Sequence, residues 1–153
     1  MPKKIKKSKK DTIGYSGKLE IGVVINGKRH KKLVTNSGKQ SLFEFVRDCL
    51  AGRGNVSKRP GQIKLYDGST ALTSYGIGFN DISIGAATDN EASIKLYFLI
   101  PGTIILNRSI NKAELLSVDG ASTLAEASMD SSITVSSIDT NLYVIWTLTI
   151  RNA

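Results

Sequence analysis

Only one stretch of the 153-residue chain carries a helical period, which confines the molecule to a mainly β fold. Within residues 33–52, Leu42, Phe45, Val46, Cys49 and Leu50 fall at i, i+3, i+4, i+7 and i+8 and line one apolar stripe. Phe43 widens the stripe, while Glu44, Arg47 and Asp48 take the other face. Ser37 or Ser41 offers a cap at the start, and Ser41 followed by Glu44 matches a capping box. Gly52 is placed to stop the helix in a left-handed conformation. The expectation is a helix over about residues 40–51 that closes one face or end of a β-sandwich, with Cys49 buried as a small hydrophobe.

The remainder alternates with a period of two. Leu19, Ile21, Val23 and Ile25 alternate with Glu20, Gly22 and Val24, and Asn26-Gly27 is the favoured two-residue hairpin turn. The return strand opens on Lys28-Arg29-His30-Lys31-Lys32. After the helix, residues 53–61 read as a Gly/Pro/basic loop and residues 63–66 as a short strand turned by Asp67-Gly68. Further strands are expected at 82–84, 93–100, 103–106 (continuing the sheet beyond Pro101-Gly102), 110–118, 123–129 and 133–135. Residues 142–151 place Leu142, Val144, Trp146, Leu148 and Ile150 on one face, the strongest strand pattern in the chain, with Trp146 anchoring the core. Short strands separated by Gly, Ser and Asp turns predict a β-sandwich of jelly-roll or immunoglobulin-like type with one amphipathic helix. The domain reading is a basic arm over residues 1–17 and a single sandwich over 18–153.

Charge is distributed unevenly. Residues 1–32 hold 11 Lys/Arg against Asp11 and Glu20, a net +9, whereas residues 33–153 carry a net −1, for a total of +8. The arm alone contributes Lys3, Lys4, Lys6, Lys7, Lys9 and Lys10, and like charges with one apolar neighbour give no drive to fold. No catalytic constellation is legible. His30 is the only histidine and sits among four cations, and Cys49 lies on the apolar stripe. The glycine pairs Gly52/Gly54 and Gly76/Gly78 lack the lysine of a phosphate loop. One cysteine permits neither an internal disulfide nor a multi-thiolate metal site. The expectation is a non-enzyme without cofactor or metal, soluble, made in a reducing compartment, and with no membrane partner, signal peptide or membrane-spanning stretch.

The order of motifs resembles a family of small accessory domains of tailed-bacteriophage virions. A hairpin leads to a Thr-Asn-x-Gly turn (Thr35-Asn36-Ser37-Gly38) and an amphipathic helix ending near Ala51-Gly52. An Ile-x-x-Ala-Glu-Leu element follows at residues 110–115, and a Leu-x-Val-x-Trp-x-Leu-x-Ile strand at 142–150. The likeness covers about residues 18–151 and implies a capsid-decorating, connector or tail protein, present in many copies in the virion after synthesis in the host cytoplasm. It implies no catalytic residues. The partner-binding residues expected from the charge layout are Lys3, Lys4, Lys6, Lys7, Lys9 and Lys10 in the arm, extended by Lys28, Arg29, Lys31 and Lys32 in the hairpin. These would lie on an acidic groove of a neighbouring capsid, connector or tail subunit. The rival expectation sets the same lysines on nucleic-acid phosphates. A third is a host-surface-binding domain with Tyr66, Tyr75 and Phe79 in exposed loops.

Overall fold

A computed structural model describes residues 13–25, 27–72, 77–78 and 81–152 of the chain. The hairpin forms as the alternation requires. Strand β1 (Ile13–Ile25) pairs antiparallel with β2 (Lys28–Gly38) from Gly17↔Asn36 to Ile25↔Lys28. Gly27 supplies the turn at φ 76°, a conformation costly for any residue with a Cβ. Strand β1 begins at Ile13, five residues before the boundary read from composition, because it also pairs with the carboxy-terminal strand from Ile13↔Asn152 onward.

Two antiparallel layers share one strand. Strands β3 (Pro60–Asp67), β4 (Thr70–Ala71), β5 (Ile77–Gly78), β6 (Asp81–Ile84), β7 (Glu91–Ile100), β8 (Ser109–Ser117), β9 (Thr123–Thr134) and β10 (Leu142–Asn152) complete the set. The order is β4-β3-β8-β9-β2-β1-β10-β7-β6, with β5 also on β3. Most of β2 belongs with β1, but Ser37 and Gly38 at its end pair with Glu126 and Ala125 of β9. The sheet therefore turns over on itself at β2, and the inner faces of its halves form one core. The first layer brings the large side chains Leu19, Ile21, Leu96, Phe98 and Trp146, and the second brings Ile63, Leu65, Leu115 and the small Ala113, Ala125 and Ala127. Mixing large and small residues across the layers is how two pleated faces interdigitate. Trp146 is fully buried, as its place in the strongest alternating pattern implied.

Several expectations are corrected. Residues 103–106 do not continue the sheet: Gly102–Ile105 form a short helical turn, α2. A Cβ on Gly102 would lie 2.3 Å from the Thr140 carbonyl oxygen, so the chain there packs backbone on backbone. Residues 123–129 and 133–135 are not two strands; Thr123–Thr134 is continuous, and Val135 makes only an isolated bridge to Leu106.

Helix α1 (Gln40–Leu50) forms where its period places it, and Gly52 takes φ 71° beyond its end. Its start and packing differ from expectation. The N-cap is Lys39 with no side-chain cap, because Ser37 is spent in the ladder with β9 and the chain passes from strand to helix without a turn. Glu44 accepts from Gln40 Nε2 at 2.7 Å rather than closing a capping box. The Lys39 amide donates to the Leu124 carbonyl at 2.8 Å, and Lys39 Nζ lies 2.7 Å from Glu126 Oε1. These ties hold the helix start to β9, so the stripe faces the open end of the sandwich instead of sealing it. Only Leu42 is buried; Phe43 and Leu50 are 52% and 78% exposed, and Cys49 is exposed.

Candidate interaction surfaces

The unsealed end carries a wide concave surface. The amino-terminal end of β1 and the carboxy-terminal end of β10 pair there, from Ile13↔Asn152 to Gly17↔Leu148. The inner face of the first layer there presents Tyr15, Leu148, Ile150, Ile94 and Ile84, and α1 stands opposite with Leu42, Phe43, Val46 and Leu50. Between them lies a groove of about 840 Å³. Tyr15 and Phe43 meet edge to face, with ring centroids 6.3 Å apart. The Tyr15 hydroxyl donates to Asn36 Oδ1 at 2.6 Å, and burial pushes its pKa up to about 12, so this polar tip stays neutral. Arg47 at the rim is held by Asp48 at 2.9 Å. An apolar surface of this size, rimmed by charge and left uncovered by the described residues, is the usual mark of a docking site.

The basic positions fall into two groups. Lys3, Lys4, Lys6, Lys7, Lys9 and Lys10 lie outside the described residues. Their attachment point does not: β1 begins at Ile13, and Gly14 and Tyr15 line the groove, so the arm joins the fold at that end. In the hairpin, alternation separates the cations. Arg29 and Lys31 lie on the outer face, 3.9 Å and 3.6 Å from the Glu20 carboxylate, and Arg29 sits 5.5 Å from the centre of the Tyr143 ring. Lys32 points the opposite way and donates to the Ser131 and Ser132 carbonyls at 2.7 and 3.1 Å, clipping β9 to β2 where the two strands part. Lys28 is exposed at the hairpin tip. The structure thus brings Arg29 and Lys31 together around Glu20 and assigns Lys32 an internal task.

Among the described residues no three His, Cys, Asp or Glu side chains gather to hold a metal. His30 is exposed on β2 opposite Val23, and Cys49 is exposed on α1. Asp119 is the most perturbed carboxyl. Ser117, Lys58 Nζ at 2.9 Å and the Ala121 amide at 3.0 Å hold its pKa far below the ordinary range. Its contacts pin the turn between β8 and β9, a structural role. Tyr66 belongs to β3, half-buried between Lys64 and Lys112, not to an exposed loop; Tyr75 and Phe79 lie outside the described residues.

Sequence reasoning named the groove's helix residues but assigned them to the core. The missed signal is the tie of Lys39 to Leu124 and Glu126 of β9, visible only once pairing is known. No family model, curated protein or solved structure matches the chain.

Proposed function

We propose that the protein is a non-enzymatic structural component of a bacteriophage virion, present in many copies and docked on neighbouring capsid, connector or tail subunits. The observation that carries this reading is the open apolar groove at the end of the sandwich where the lysine-rich arm joins. A helix that buries one residue of its stripe among the described residues leaves the rest for a neighbour. Groove and arm act together: an aliphatic segment of the neighbouring subunit fills the apolar surface, and the arm's six lysines lie along that subunit's acidic surface, which sets register and raises affinity through a second point of attachment.

The test is incorporation. Particles assembled with a chain lacking residues 1–12, or carrying Val46→Glu in the groove, are purified and the copies per particle counted by quantitative mass spectrometry. Both variants are expected to fold and to be lost from the particle. Full occupancy by both would refute the reading.

A further inference from the structure

The outer face of the first layer, on the other side of the sheet from the groove, gathers Arg29 and Lys31 with residues that no sequence pattern related to them. Register assembles it row by row. One row runs Thr35, Lys18, Thr147, Lys95, Ser83 across β2, β1, β10, β7 and β6. The next is Leu33, Glu20, Ile145, Tyr97, Asp81, and the one after Lys31, Gly22, Tyr143, Leu99. Tyr97 and Tyr143 are thus diagonal neighbours on adjacent strands, about 7–8 Å apart at the backbone, both half-buried and standing on one face. Lys18 and Lys95 flank the tyrosines on one side and Arg29 and Lys31 on the other. Arg151 lies farther along the same face, paired with Gly14 of β1 just after the arm. Two carboxylates share this face: Glu20, already engaged by Arg29 and Lys31, and Asp81, beside Tyr97 on the edge strand β6.

We propose that this face binds single-stranded nucleic acid, with Tyr97 and Tyr143 as the surface on which bases stack and Lys18, Lys95, Arg29 and Lys31 along the phosphates. Charge and chemistry select this occupant. Aromatic faces between two banks of cations suit a strand whose bases are unpaired, since every base has a π-face and every linkage a negative charge. A duplex keeps its bases stacked on each other and offers only phosphates to such a flat sheet. The exposed Leu33, Leu99 and Val24 provide apolar floor around the tyrosines. This inference does not rest on the virion reading, because the groove and the outer face are separate surfaces.

The test uses the full chain and a fluorescently labelled 20-nucleotide oligo-dT, compared by anisotropy with a 20-base-pair duplex over a salt series. Single-strand binding is expected to be at least about 10-fold tighter than duplex binding. Tyr97→Leu and Tyr143→Leu each lower single-strand affinity about 5-fold or more and leave duplex affinity unchanged. Lys95→Gln, an exposed change that spares packing, lowers the salt slope by about 0.7 for the single strand. Equal affinity for both nucleic acids, insensitive to the tyrosines and to Lys95, would place all binding on the arm and overturn the proposal. Absence of binding tighter than about 100 µM at physiological salt would overturn it too and leave the face to a protein partner.

Discussion

Leu42 and Leu50 sit on one stripe of one helix, yet the structure assigns them different energies. Leu42 is 6% exposed and Leu50 78%. Burying a leucine completely contributes about 1.5–3 kcal/mol, so the fifth or so of Leu50 that is covered is worth about 0.3–0.7 kcal/mol. Leu42→Ala removes buried methyl groups, at a cost of about 2–5 kcal/mol. Leu42 also lines the groove, so its neighbours have room to relax and the lower end, about 2–3 kcal/mol, is expected. Urea unfolding followed by circular dichroism measures both changes. In a chain of this length about 2–4 °C of Tm accompanies each kcal/mol. Leu42→Ala is therefore expected to lower Tm by about 4–12 °C and Leu50→Ala by at most about 3 °C. Equal costs for the two would mean that the helix closes onto the sheet in solution and that the 840 Å³ groove does not exist there.

Cys49 is exposed on α1, so the native protein is expected to react with a thiol reagent as completely and nearly as fast as the unfolded chain; a protected thiol would restore the buried reading. Trp146→Ala is expected to cost about 3–5 kcal/mol, a large share of a domain's usual 5–15 kcal/mol, and to show as a strongly reduced urea midpoint. Trp146→Phe costs less, because phenylalanine keeps a large aromatic ring in the fully buried site. For Asp119 the folded pKa is depressed, so its contribution to stability is present above the ordinary carboxylate range and lost as pH falls through and below it. Asp119→Asn is expected to lower Tm above the carboxylate range and leave it nearly unchanged at low pH, so that the acid limb of a Tm-versus-pH curve flattens.

Local chemistry was legible in the residues. The Gly27 turn, the left-handed Gly52, the alternation that buries Leu142, Val144, Trp146 and Leu148, and the helical period of residues 40–50 each depend on near neighbours in the chain. Where the expectation failed, a distant partner had taken over. Residues 102–105 coil because the backbone at Ser137 and Thr140 packs against Gly102, and Ser37 caps nothing because Glu126 pairs with it. The candidate surfaces are of the second kind. A stripe at positions 42, 46 and 50 states that α1 has an apolar side, but the ties of Lys39 to β9 decide whether that side meets a core or an open groove. Likewise, nothing within β7 or β10 alone relates Tyr97 to Tyr143; antiparallel register sets them side by side, while strand alternation turns Lys32 away from Arg29 and Lys31. Sequence by itself determined the elements, the turns and the surplus of positive charge at one end. Tertiary structure decided which apolar and basic side chains remained available to a partner, because availability depends on what packs against each face from elsewhere in the chain.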